Sequence, residues 1–346
     1  MARAACGALL ALCVLCVLDR AAAAAGEAST DYTWHLPRGF PRPAVPADNP
    51  MSQAKVDLGR RLFYDLRLSV TGRHSCASCH SPASAFTDHR ARAVGATGAT
   101  LPHSAMALVN VAYNVSYGWS DPDVRSLEAQ MLTPMLNQHP VELGLAGHEQ
   151  ALVDALSAEG SLRAAFAAAF PRAPAVSFQH IIKAIAAFER TLISGDSPFD
   201  RYVFEGESGA LSPAAKRGMA LFFSARAGCA NCHFGFNFSG NWRDTEGDTG
   251  APSFANNGTS DKPMRVPTLR NIALTAPYMH DGRFATLDAV LDHYSHLGQV
   301  PDDQHGGTRD PRLKSLALTS SERHELIAFL ESLTDPGFIA HQTAQR

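Results

Sequence analysis

Cys76-Ala-Ser-Cys79-His80 and Cys229-Ala-Asn-Cys232-His233 repeat one pattern, Cys-x-x-Cys-His. Two thiols one helical turn apart can bond covalently to a porphyrin edge, and the imidazole that follows can turn under the ring to ligate its iron. The pattern predicts two c-type haems, with His80 and His233 as proximal ligands. A Cys-x-x-Cys pair alone would also serve half a zinc site or a dithiol redox pair. Neither of those needs a histidine directly after the second cysteine. Of the seven cysteines, Cys6, Cys13 and Cys16 lie in the N-terminal leader and four in the motifs, so none is left for a disulfide.

The elements that must position these groups follow a leader. Residues 1–25 combine Arg3, an apolar run over 4–18 and small residues over 21–25, and read as a secretory signal peptide with cleavage near Gly26. The run is too short for a membrane anchor, and neither Cys13 nor Cys16 follows the small residue that a lipoprotein site needs. Export to the periplasm suits the haems, because c-type attachment is completed outside the cytoplasmic membrane. No later apolar stretch is long enough to span a bilayer. With a net charge of −3 and no basic run, the chain offers no electrostatic footprint for nucleic acid.

Residues 26–50 form a Pro-rich arm, since Pro37, Pro41, Pro43, Pro46 and Pro50 exclude regular helix or central strand; it is expected to pack along the first domain. About 320 mature residues suit two domains, here 51–205 and 206–346 with one haem each. The boundary is expected at 195–211, where Gly195, Pro198, Gly206 and Gly209 cluster. Gly59-Arg-Arg-Leu62-Phe63 before the first motif and Gly218-Met-Ala-Leu221-Phe222 before the second form a weak internal repeat. Phe178, Ile181, Ile182, Ile185, Phe188, Leu192 and Ile193 share one helical face that ends at Gly195. Ser212-Pro213 opens a helix toward the second motif, Thr286 caps one through Leu297, and Ser320 or Ser321 caps one through Leu333. Strand signals are few, and 235–268 reads as a long loop. The fold class is therefore mainly α, as two cytochrome c-like domains.

Longer motifs carry a resemblance. Leu62-Phe63-Tyr64-Asp65 with Leu68-Ser69, then Phe86-Thr87-Asp88, then Val266-Pro267-Thr268-Leu269-Arg270-Asn271 and Ala276-Pro277-Tyr278-Met279-His280-Asp281-Gly282-Arg283, resemble the bacterial dihaem cytochrome c peroxidases over nearly the whole mature chain. Ordinary members place a methionine, the second ligand of the C-terminal haem, fourteen residues after the histidine of His-Asp-Gly; from His280 that count reaches Tyr294. Tyrosine there is similar to the MauG and MbnH-type enzymes. The arm Trp34-His35-Leu36-Pro37 with 45–52, and His139-Pro140-Val141-Glu142-Leu143-Gly144, look most like MbnH.

The resemblance implies use of hydrogen peroxide to reach a high-valent dihaem state that oxidises a tryptophan of a partner, an MbnP-like protein, toward kynurenine. An anionic phenolate favours oxidised iron where a thioether favours ferrous iron. Tyr294 is thus the implied distal ligand of the second haem; His293, His296 and Met279 stand as alternatives. Glu142, Gln130 and Pro134 match the distal residues of the peroxide site, with Glu142 as general acid/base. An insertion before it brings His139 to the same loop. Trp119, thirty-nine residues after His80, matches an inter-haem electron relay, and His280 counts with the catalytic set. A calcium ion between the haems would use the carbonyls of Thr275 and Pro277, with Ser104 where relatives have asparagine and His103 where they have arginine. Trp242 is a candidate exit for oxidising equivalents. The rival readings are a peroxide-detoxifying dihaem peroxidase fed by a small redox donor, and a plain electron carrier with both irons six-coordinate.

Overall fold

The computed structural model describes residues 32–240, 242–248, 254–297 and 309–345; the leader and its signal-peptide reading lie outside them. Ten α-helices and four two-residue strands make up the regular structure of the described residues. In chain order the helices are α1 Gln53–Phe63, α2 Leu127–Leu136, α3 Glu149–Ser157, α4 Gly160–Ala169, α5 Phe178–Glu189, α6 Pro198–Phe204, α7 Pro213–Phe222, α8 Leu287–Ser295, α9 Ser320–Glu331 and α10 Pro336–Ala344. The chain is mainly helical, as its composition and periodicity predict.

The Gly-x-x-Leu-Phe repeat has a packing reason. A Cβ at Gly59 on α1 would lie 1.9 Å from the Ala184 carbonyl oxygen of α5, and one at Gly218 on α7 would lie 1.8 Å from the Glu325 oxygen of α9. Only glycine lets each crossing close that far, and each crossing backs one Cys-x-x-Cys-His turn. The buried side chains form two clusters. One gathers α1, α2 and α5 around Leu62, Phe63, Ile185 and Phe188. The other gathers α7 and α9 around Phe222, Phe238, Phe329 and Leu333.

Several boundaries differ from the sequence reading. Helix α5 stops at Glu189, because the chain turns through Arg190 and Thr191 to bring Leu192 into the core. Helix α8 stops at Ser295, short of Leu297. The cap of α9 is Thr319, which closes a reciprocal box with Glu322 and pre-empts Ser320 and Ser321. Ser212 and Thr286 cap as expected, and Ser177, which the sequence reading did not name, caps α5; each side chain accepts from a backbone N–H three residues on. Segment 195–211 carries α6, held by a Ser197–Asp200 box.

The arm is irregular over 32–50 and touches both halves of the chain. The Tyr113 hydroxyl donates to the Pro41 carbonyl at 2.8 Å, while the Phe40 ring meets Phe236 at 4.7 Å and Pro43 bridges Asp244. Helix α10, not foreseen from the sequence, returns the C-terminus to the first cluster, with Phe338 at 6.1 Å from Phe86. Loop 235–268 holds the strands, β1 Arg243–Asp244 paired with β2 Gly247–Asp248 and β3 Phe254–Ala255 with β4 Met264–Arg265, all antiparallel.

Candidate active site

Both motifs fold alike. Cys76–Ser78 and Cys229–Asn231 are 3₁₀ turns, and the backbone N–H groups of His80 and His233 return to the carbonyls of Cys76 and Cys229 at 3.0 and 2.9 Å. Each imidazole is then fixed by its Nδ1, which donates to the carbonyl of Phe86 or Phe238 at 2.9 Å. Phe86 and Phe238 both have positive φ, 62° and 50°, so the strained turn is what aims the carbonyl back at the ring. With Nδ1 committed as donor, Nε2 is the nitrogen available to ligate a metal.

Each histidine faces a cavity. That of His80, about 350 Å³, is lined by Cys76, Cys79, Gln130, Pro134 and Glu142. That of His233, about 220 Å³, is largely apolar and lined by Cys229, Cys232, Tyr294 and Leu291. The four motif cysteines are unpaired, and burial pushes their thiols up, to about 11 at Cys79 and Cys229. Among the described residues no cluster of three His, Cys, Asp or Glu side chains gathers to hold a bare metal ion. Paired cysteines beside a cavity, one oriented imidazole and an apolar wall fit a covalently held haem at each place.

Helix α2 shapes the first cavity. Pro134 has no N–H, so the Gln130 carbonyl one turn back loses its helical partner, and both residues line the space. The Pro134 carbonyl in turn accepts the Leu143 N–H at 2.9 Å, which holds Glu142 at the cavity. Burial raises the Glu142 carboxyl above the usual range. His139 precedes a cis bond to Pro140 and stays exposed outside the lining, so Glu142 is the side chain that this loop delivers.

In the second cavity, burial pushes the Tyr294 phenol up to about 12, and a hydrogen bond from Asn257 opposes the shift. Met264 and Met279 share this cavity, and the Met279 sulfur accepts from the Asn257 amide at 3.2 Å. His293 and His296 do not line it; their rings bond the carbonyls of Asn257 and Asp292 at 3.0 and 2.9 Å.

Trp119 belongs to the walls of both cavities, with its indole N–H donating to the Ser104 carbonyl at 3.1 Å. His280 and His103 surround it at ring distances of 6.5 and 6.2 Å, and burial lowers both imidazoles. Trp242 sits farther along the second loop, 6.1 Å from Phe234 and 5.5 Å from Phe236, its ring filling the space a Cβ at Gly235 would need.

A smaller cavity of about 80 Å³ gathers Ser104, Thr275 and Pro277. The Ser104 hydroxyl is committed to the Met279 carbonyl at 3.1 Å, but Asp88 lines the same space with its Oδ2 buried and unpartnered. The oxygens of Ser104, Thr275 and Pro277 with a spare carboxylate oxygen would suit a hard cation, while Arg90 and Arg265 line the same space. Sequence reasoning missed Asp88 in this role, although Phe86-Thr87-Asp88 marked it. It also missed Asn257, Glu189 and Arg265, which no local pattern distinguishes.

Comparison with known proteins agrees with this geometry. The profile of the family described as di-haem cytochrome c peroxidase matches residues 53–208. The chain is 35% identical to the methylamine utilization protein MauG of Methylorubrum extorquens, across 90% of this chain and 88% of that one. It is 34% identical to the cytochrome-c peroxidase IdrP1 of Denitromonas iodatirespirans, across 94% and 93%. A crystal structure of a MauG-like protein associated with microbial copper homeostasis superposes with a TM-score of 0.85 at 37% identity, covering 91% of this chain and all (100%) of that one.

Proposed function

The chain belongs to the di-haem cytochrome c peroxidase and MauG family, and within it we propose an MbnH-like enzyme that uses hydrogen peroxide to oxidise a tryptophan of a docked periplasmic protein. The reading rests on one observation, that Tyr294 lines the cavity of His233. Likeness to the copper-homeostasis protein supports it.

Haems held by Cys76, Cys79 and His80 and by Cys229, Cys232 and His233 would supply peroxide cleavage at the first site and storage of oxidising equivalents at the second. Glu142 would accept a proton from peroxide and return it to the oxygen that leaves as water, and burial raises its carboxyl above the ordinary range. Gln130 and Pro134 shape the space above, and Trp119, common to both walls, relays electrons between the sites. Tyr294 would hold the second haem as an anionic oxygen donor; burial raises its phenol to about 12, so loss of its proton would depend on a cationic centre beside it. Trp242, beside Phe234 and Phe236, is the exit toward the partner. The substrate tryptophan need not enter either cavity.

Met264 and Met279 in the same cavity favour a second reading, a peroxidase fed by a small redox protein through a Met-ligated haem. Resonance Raman spectra of the ferric holoenzyme separate the two. Tyrosinate modes are expected in the wild type, absent in Tyr294→Phe and retained in Met279→Leu. Peroxide with an MbnP-like protein should then give kynurenine by mass spectrometry. A wild type without tyrosinate modes, turning over peroxide only with a reduced donor, would establish the peroxidase instead.

A further inference from the structure

Arg265 lies at the end of β4 and lines the His80 cavity, the His233 cavity and the small oxygen-lined cavity, as Trp119 also does. Its backbone N–H donates to the Trp119 carbonyl at 2.7 Å, so the two residues are one piece of wall. The side chain is 7% exposed, yet its Nε has no partner and its Nη2 reaches only the Met106 sulfur at 3.1 Å. A thioether is a weak acceptor. Asp121, Glu142 and Glu189 line the His80 cavity, but none pairs with it. Burial lowers its pKa to about 10, and the only group acting against that is the Tyr117 hydroxyl, a phenol that burial itself holds in its neutral form.

A guanidinium buried without an anion is unfavourable unless something supplies the charge. Arg265 is also the one Arg or Lys among the described residues lining the His80 cavity. A c-type haem uses its vinyl groups for the two thioethers and keeps two propionate carboxylates, the anionic groups this cavity must accommodate. A guanidinium matches a carboxylate through two parallel N–H donors. We propose that Arg265 is a positioning residue for the haem at His80, its guanidinium clamping a propionate against the wall it shares with Trp119.

A residue contributed by the second half of the chain thereby fixes the orientation of the first haem relative to the relay indole. The cation also favours the reduced form of that haem, because it offsets the propionate charge that otherwise stabilises ferric iron. The inference rests only on the two haems being present, not on the identity of the oxidised substrate.

The test is a spectroelectrochemical titration of holoenzyme carrying Arg265→Leu or Arg265→Lys, with two haems per chain first verified by pyridine haemochrome. Arg265→Leu should lower the ferrous-to-ferric ratio of the His80 haem at a fixed potential about tenfold, equivalent to about 59 mV for one electron. Arg265→Lys, which keeps the charge but not the fork, should fall between. Equilibria within about twofold of wild type in a two-haem Arg265→Leu protein would overturn the clamp, since a tenfold loss is what separates it from neutral packing. If that variant does not load both haems, wild type labelled with ¹⁵N-arginine supplies the readout. Its redox-difference infrared spectrum should show a guanidinium band that moves with the His80 haem, and a band indifferent to reduction would overturn the proposal. Neither readout uses peroxide or a protein substrate, so its failure is distinct from failure of the MbnH-like reading.

Discussion

Arg270 and Asp200 form a two-stranded ion pair, Nη1 to Oδ2 at 2.7 Å and Nη2 to Oδ1 at 2.9 Å, with side chains 1% and 3% exposed. Arg270 also donates from Nε to the Phe236 carbonyl at 2.8 Å and lies over the Phe40 ring at 4.6 Å. It thus ties α6 and the arm to the segment whose Phe238 carbonyl holds His233. Asp200→Ala strands a buried guanidinium, and should destabilise the holoenzyme by about 3–5 kcal/mol in denaturant unfolding. Haem content should fall from two toward one per chain. An unchanged midpoint with both haems bound would show that the pair does not carry this loop.

Glu142→Gln keeps the shape of the loop and removes the titratable group. The second-order reaction with peroxide, followed by stopped flow, should slow by about 10²–10⁴-fold with haem content intact. In wild type the base form is lost as pH falls through a carboxyl that burial has raised, so the acid limb should lie above the ordinary carboxylate range. The variant should lack that limb. The same limb in Glu142→Gln would assign the proton transfer elsewhere.

Glu189 ends α5 inside the His80 cavity, while its neighbour Arg190 is taken by Glu128 at 2.7 Å. Burial raises the Glu189 carboxyl from 4.5 to about 8, with Arg190 opposing. A folded pKa above the unfolded one gives stability that is fully present below the unfolded value and is lost as pH rises through about 8. Glu189→Gln does not suffer that loss. Melting temperatures should therefore shift in favour of the variant between pH 5 and pH 9, and parallel pH curves would refute the burial argument.

Asp88, Ser104, Thr275 and Pro277 are proposed to hold calcium. Re-adding calcium to chelator-treated holoenzyme should raise the unfolding midpoint, as for any ligand bound only by the folded state. Asp88→Ala should lose that rise, whereas Ser104→Ala, which removes a neutral oxygen and not a charged one, should lose less of it. A full response in Asp88→Ala would remove the carboxylate from the site.

The haem-binding turns were legible in the sequence because their geometry is local: within Cys76–His80 and Cys229–His233 every contact spans at most four residues, and the backbone needs no distant partner to close them. The glycines of the repeated Gly-x-x-Leu-Phe segments were visible, but the helix each one meets was not. Caps were readable to within a residue, and Thr319 displaced its neighbours only because its box with Glu322 is the better-satisfied choice. Tyr294, Glu142 and Trp119 could be named from long motifs by resemblance, yet which cavity each side chain lines depends on packing between segments far apart in the chain.

The sequence by itself determined the two Cys-x-x-Cys-His turns, whose pattern points to c-type haem, and the helical class, since short-range backbone hydrogen bonds dictate them. Only the tertiary structure decided that Arg265 and Trp119 form one wall, that Asp88 keeps a buried carboxylate oxygen without a partner, and that Glu189 is buried while its neighbour Arg190 pairs with Glu128. Those outcomes depend on which partner a charged group meets or fails to meet after helices and loops pack, a quantity that no residue's type or local spacing contains.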